Sequence, residues 1–419
     1  MAQQLFFSRD TKMYLEFNGA VWELPVLDGF SFSQATNSSE ITLNEMESSG
    51  GVSRRGRRMF NDSLAPAEWS FSTYVRPFTS AGSGSEAADT AAEVHAVEEV
   101  LWAAMAGADT YANSAFTRGA EAVLTPGSSN MSVSFAQSNK STLGTFNIYF
   151  VLGNANQKVY KLDSAVVGEA SIDFDIDGIA TINWSGNSSE IIDLTTDNAF
   201  FQDNAPVNGD GLAVGDVWID TNDANKLYVC TNAASGSEAF TSRISEAITD
   251  TGNFIRNRLT TLSVEPTLVD PDSDGTNELE SSYNLTLTGG NISISNNITF
   301  ITPEELGLVN VPIGHVTGSR SISGSFTCYL SKDTTIDNNS ADLWEDLKGI
   351  TNVVTNSFAL TFKIGGGTLS DTGLEVSMPT CHIDIPTHSI EDVISLETSF
   401  NALPSTIDAA DEVSLTYRP

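Results

Sequence analysis

Ser70-Phe71-Ser72-Thr73-Tyr74-Val75 and Ser325-Phe326-Thr327-Cys328-Tyr329-Leu330 are two versions of one strand. On either side of this pair the matches continue in the same order. Ile41 and Leu43 in SSEITLN answer Ile298 and Phe300 in NNITFI. Leu101-Trp102 with Gly107 answer Leu343-Trp344 with Gly349. Met131, Val133 and Phe135 answer Phe358, Leu360 and Phe362, and the strand ending at Trp184 answers the one ending at Phe400. The spacing between partners shrinks steadily, from 257 positions to 216. Order is therefore kept while the first copy carries longer loops. One unit is read twice: a long hairpin, a helix, then further strands.

Most of the chain alternates apolar and polar residues at period two. Ile172, Phe174 and Ile176 alternate with Ser171, Asp173, Asp175 and Asp177. Ile292, Ile294 and Ile298 stand among Ser and Asn. Such alternation predicts strands with one covered and one polar face. Two stretches read as helices. Ala87–Ala106 has Asp89 and Glu93 early, favourable near a helix N-terminus. Ser340–Lys348 has Ser340 as a candidate N-cap and Gly349 as its stop. Between the copies, 202–240 is rich in Gly, Asn, Asp and Ala, with DVWID and KLYVC flanking Asn-Asp-Ala-Asn. It reads as a small surface hairpin, against the plainer reading of a linker. The expected organisation is a first β unit over 1–200, a small insert or linker over 201–242 and a second β unit over 243–419.

The chain has 419 residues, 40% of them hydrophobic, and a net charge of −34. That is enough apolar material for packed cores. A surface this acidic repels nucleic acid, which excludes an ordinary DNA- or RNA-binding module but not a wall that DNA slides past. Cys230, Cys328 and Cys381 form no CxxC and read as buried free thiols in a reducing compartment. MAQQLFFSRD lacks the pattern of a secretory signal, and no apolar stretch approaches the length of a membrane span. A soluble protein made in a cytoplasm is expected.

No motif carries catalysis. GxSxG, a P-loop and a strand-to-helix GxGxxG are absent, and His95, His315, His382 and His388 lie in different elements. No cofactor or metal is expected. Asp270-x-Asp272-x-Asp274-Gly275 and Asp173-x-Asp175-x-Asp177-Gly178 resemble calcium loops, but position twelve is Ser281 in one and Trp184 in the other. The first reads better as a turn, the second as one acidic strand face. Arg54, Arg55, Arg57 and Arg58 are the one basic cluster. They lie between the strands of the first long hairpin, so an exposed tip contacting another subunit or ring is expected, with a solvated charge run as the plainer alternative.

Arg57-Arg58-Met59-Phe60-Asn61-Asp62-Ser63-Leu64 followed by Ala67-Glu68-Trp69-Ser70-Phe71-Ser72-Thr73-Tyr74 resembles the major tail tube proteins of long-tailed siphophages of the T-five type. Asn296-Asn297-Ile298-Thr299, Val311-Pro312-Ile313-Gly314 and Asp384-Ile385-Pro386-Thr387 resemble the second half of those proteins, and Ile394–Glu412 does so more loosely. The resemblance implies a mainly β virion protein with two fused tail-tube domains, each a β-barrel or sandwich with one helix. It implies trimeric, pseudo-hexameric rings stacked into a conduit for DNA ejection. The expected partners are further copies, a tape measure protein in the lumen, tail tip and terminator proteins, and genomic DNA passing without specific binding. Some members carry an immunoglobulin-like domain that has no counterpart here before Pro419; the 202–240 insert stands instead. The residues support the same picture, because two such β units leave open strand edges that closure into a continuous inner barrel would satisfy. Asp173, Asp175 and Asp177 are then expected to face the lumen. A specialised ring at the tail tip or terminator is the nearest alternative. A calcium-dependent carbohydrate-binding module is the alternative from another class.

Overall fold

Alternation at period two gives a strand two unlike faces, while its backbone N–H and C=O groups need a neighbouring strand to bond to. The computed structural model describes residues 5–42, 57–80, 91–135, 143–154, 156–196, 198–244, 254–270, 279–332, 338–349, 357–366, 372–407 and 409–419. The fold is mainly β, with two α-helices among the described residues.

Eight strands follow one another, each antiparallel to the next, to make a central sheet. Their order is Ser31–Ser33, Ala67–Tyr74, Thr181–Ser188, the second half of Lys158–Asp175, Leu287–Ser295, Ser321–Tyr329, Ser395–Ala402 and the end of Gly373–Ile383. The first four come from the first repeat and the last four from the second. The two halves join where Ile172 faces Ile292. Before its hairpin each repeat contributes one strand, Ser31–Ser33 or Leu287–Ser295. The hairpins are Thr36–Thr42 with Arg57–Leu64 and Ile298–Ile301 with Gly314–Thr317.

Two long strands each serve two sheets. The first half of Lys158–Asp175 lies between Phe146–Leu152 and Glu190–Asp193. The strand then turns at Ser164, whose φ is 52°, into the central sheet. Likewise the first half of Gly373–Ile383 lies between Phe358–Ile364 and Ser414–Arg418. Pro379, which has no N–H to donate, stands where that ladder ends. These positions correct one match made from sequence. The counterpart of Phe358–Ile364 is Phe146–Leu152, not the Met131–Ser134 strand, which pairs instead with the C-terminal strand Ser414–Arg418. The last match also shifts by two residues: Trp184 faces Phe71, whereas Thr398, not Phe400, faces Phe326.

One core runs through both repeats, including Trp69, Trp102, Trp184, Phe326, Phe362 and Tyr417. Helix α1, Glu99–Met105, is buried on every side. It is far shorter than expected, because Val94–Ala96 is spent on a strand against Pro77–Thr79; Asp89 lies outside the described residues. Trp102 Nε1 donates to the Tyr417 hydroxyl at 2.6 Å, and that hydroxyl donates to Glu98 Oε1 at 2.8 Å. The last strand of the second repeat is thus bonded to the helix of the first. Helix α2 is Ser340–Gly349. Ser340 is its first residue and not its cap: its hydroxyl donates to Tyr329 O at 2.8 Å, while Asp342 accepts from the Asn339 N–H at 3.1 Å.

The segment between the repeats holds the expected pair Val217–Asp220 and Lys226–Asn232, with Ala199–Gln202 and Ala239–Phe240 added at its edges. Val217, Ile219, Leu227 and Val229 bury one face of this small sheet against Tyr14, Val21, Tyr149 and Val159.

Candidate functional site

The central sheet has one face in the core and one bare. Trp69, Phe71, Trp184, Ile172, Phe174, Ile292, Ile294, Phe326 and Phe400 point inward and are buried. The residues alternating with them are almost all Ser, Asn and Thr: Ser70 and Ser72; Asn183, Ser185 and Asn187; Asn291, Ser293 and Ser295; Ser323, Ser325 and Thr327; Ser399 and Asn401. Its carboxylates are Glu68, Glu169, Asp173, Asp175 and Glu397. None of the eight strand segments contains a lysine or arginine within this sheet. His382, exposed on the last strand, has Asp384 3.7 Å away.

Cross-strand hydrogen bonds hold these groups in place. Ser72 Oγ donates to Asn183 Oδ1 at 2.6 Å, and Asn183 Nδ2 donates to Asp173 Oδ2 at 2.6 Å. Ser293 Oγ donates to Glu169 Oε1 at 2.7 Å across the junction between repeats. Ser325 Oγ donates to Asn291 Oδ1 at 2.8 Å.

Asp173 and Asp175 lie on this bare face. Asp177 does not share their strand, which ends at Asp175; it stands in the following bend beside Ile176, which is 42% exposed and not in the core. The alternation stops there because Gly178, at φ 141°, turns the chain. Arg57 and Arg58 open the outer strand of the first hairpin and are exposed, with Arg57 3.5 Å from Glu40. Arg54 and Arg55 lie outside the described residues. The two hairpins touch each other: the Leu64 N–H donates to Asn310 O at 2.8 Å and the Asn310 N–H to Asp62 O at 3.1 Å. Among the described residues no group of three or more His, Cys, Asp or Glu is placed to hold a metal. Of the Asp270 loop only Asp270 is described. Cys230, Cys328 and Cys381 are free and buried, and no described helix is long and apolar enough to cross a membrane.

Along most of its length this chain is similar in sequence to a known protein. The chain is 30% identical to the tail tube protein pb6 of Escherichia phage T5 over 397 residues, 94% of this chain and 70% of that relative. The chain belongs to the T5-type tail tube proteins. No protein-family model matches it. The sequence reading did not name Glu68, Glu169 and Glu397, which share the bare face with Asp173 and Asp175. Part of their signal was available: Glu68 stands between buried Ala67 and Trp69, and Glu397 between buried Leu396 and Thr398, whereas Glu169 follows a bulge that breaks the alternation. What was missing was the knowledge that these residues, up to 329 positions apart, share one face.

Proposed function

We propose that the chain is a tail tube subunit of a phage virion, acting without catalysis, whose central sheets join into the wall of a conduit for DNA ejection. One observation carries this reading. Inside the chain, the last strand of the first repeat pairs with the first strand of the second. The two free edges are the matching strands: Ser31–Ser33 at one side and the end of Gly373–Ile383, continued by Thr387–Ser389, at the other. A copy placed head to tail repeats a junction the chain already makes once. Such a heterologous contact closes into a ring when its rotation allows.

Three copies give six like units and twenty-four strands. With strands about 4.8 Å apart and tilted about 40°, the barrel is about 48 Å across between backbones. That width accommodates a double helix with its water. The bare Ser, Asn, Asp and Glu face then lines the lumen, which first holds a tape measure protein and later passes genomic DNA. Tip and terminator proteins complete the ends, and the four-stranded insert decorates the outside. Native mass measurement on the purified chain tests the ring: trimers are expected, and closed rings of six full chains would overturn the stoichiometry. Negative-stain images showing neither rings nor tubes would overturn the reading as a whole.

A further inference from the structure

The two ends of the central sheet differ in kind. Both long hairpins leave from one end, where Ser31–Ser33 runs into Thr36–Thr42 and Leu287–Ser295 into Ile298–Ile301. The other end of the first repeat carries the bend at 176–179 and the segment 254–260. The Ala180 N–H donates to Ile255 O at 2.8 Å and the Asn257 N–H to Gly178 O at 3.2 Å, tying the two together. Strands of about eight residues set the ends about 27 Å apart.

At the hairpin end, Leu306 is 100% exposed, and Leu308 is 53% exposed beside it. Glu304 and Glu305 precede them and are exposed too. The loop has a fixed shape: the Glu305 N–H donates to Asn310 Oδ1 at 3.0 Å and Asn310 Nδ2 donates to Glu305 O at 3.1 Å. With Val309, Val311 and Ile313, all exposed on the same hairpin loop, these leucines make a run of apolar surface on a braced loop, which marks a contact surface. At the opposite end a notch of about 190 Å³ has apolar walls from Phe174, Ile176 and Leu287, with Asp175 and Arg258 also lining it. Arg256, two positions before Arg258, is likewise exposed.

We propose that the Glu304–Leu308 loop of one copy docks into this notch on a copy in the adjoining ring, with Leu306 against Phe174, Ile176 and Leu287 and the two glutamates against Arg256 and Arg258. The proposal rests on the ring reading above. It also fixes how rings are turned on one another. The first hairpin carries Arg57 and Arg58, and the far end of the second repeat carries exposed Glu391 and Asp392 between Ile390 and Val393. First repeat over first repeat would set arginines on arginines; second over second would set glutamates on acids. A stagger of one unit makes both contacts complementary. Asp175 and Asp177 at the first far end, Glu40 beside Arg57 and Lys332 near the second far end offset part of these charges.

Charge exchange in the full-length chain tests it. E304R/E305R should still form rings by native mass measurement but shorten tubes at least tenfold in negative stain. R256E/R258E should do the same, and the four changes together should restore length. R57E/R58E should be rescued by E391R/D392R and not by changes at 256 and 258. A Leu306→Cys, Ile176→Cys variant should give disulfide-linked multimers in tubes but not in isolated rings, with each single substitution as control. Normal tubes in E304R/E305R, absent rescue, or rings and tubes without that crosslink would overturn the docking while leaving the ring reading intact. A wild-type chain that forms no rings would overturn that reading and this one with it.

Discussion

Glu98 lies where the first repeat's helix meets the second repeat's last strand, and its burial pushes its carboxyl up to about 7. Hydrogen bonds from the Tyr417 hydroxyl and the Arg76 N–H, and the charge of Arg76, pull the other way but do not offset desolvation. The folded state therefore holds a proton that the unfolded chain releases near 4.5. Stability from this group is complete below about pH 4.5 and is lost as pH rises toward about 7. The full loss is about 3 kcal/mol. Glu98→Gln keeps an acceptor for Tyr417 and carries no charge. Urea unfolding across pH 4.5–8 should find it close to wild type at the acid end and more stable at pH 8, with a flatter profile. A variant that parallels wild type across the range would show that Glu98 is ionised at no cost in the fold.

Three strand pairs of the central sheet set a glycine directly opposite a large aromatic on the core side: Trp69 with Gly186, Phe174 with Gly290, and Phe400 with Gly324. A Cβ at Gly186 would lie 2.1 Å from Val166 O and 2.5 Å from the Trp69 ring; at Gly324 it would lie 2.2 Å from Asn291 O and 2.6 Å from the Phe400 ring. The ring fills the space the glycine leaves, and the backbones approach closely. Between the repeats the pair has exchanged sides: the aromatic is on the hairpin-side strand at Trp69 in one and on the later strand at Phe400 in the other. Gly186→Ala should cost at least about 2 kcal/mol, in the upper part of the overpacking range. Trimming the ring with Trp69→Phe should not restore it, because the nearer obstacle is a backbone oxygen. Recovery of the double variant in denaturant titrations would place the constraint in the side chain instead.

Across the whole molecule, five acids share a sheet face whose eight strand segments carry no lysine or arginine within that sheet. In the proposed tube, Asp173 and Asp175 face the lumen and Asp177 stands at its rim. At 0.15 M salt the Debye length is about 8 Å, so their repulsion acts only on DNA near the wall. Replacing Asp173 and Asp177 with Lys should leave tubes intact, since neither is in the core or lines the notch, and should slow ejection from whole virions, more so at low salt. Unchanged ejection kinetics at low salt would remove these carboxylates from the conduit's working surface.

The duplicated unit, the β class, the insert's hairpin and the buried thiols were legible because they depend on local alternation and on order along the chain. Period two reports that a strand has two unlike faces. It does not report which strand lies beside it, so Met131–Ser134, which alternates as Phe358–Ile364 does, stood as its match, while the true counterpart Phe146–Leu152 is a near-continuous apolar run. For the same reason a two-residue shift between Trp184 and Thr398 passed unnoticed, as it preserves the face. Helix α1 was overdrawn because a segment buried on all sides has no polar stripe to mark its limits. Only tertiary pairing assembled Glu68, Glu169, Asp173, Asp175 and Glu397 on one surface, and only it set the Glu304–Leu308 loop and the notch at opposite ends of the sheet. Sequence by itself determined which side chains each strand shows; long-range backbone hydrogen bonding between distant segments decided what those side chains face together.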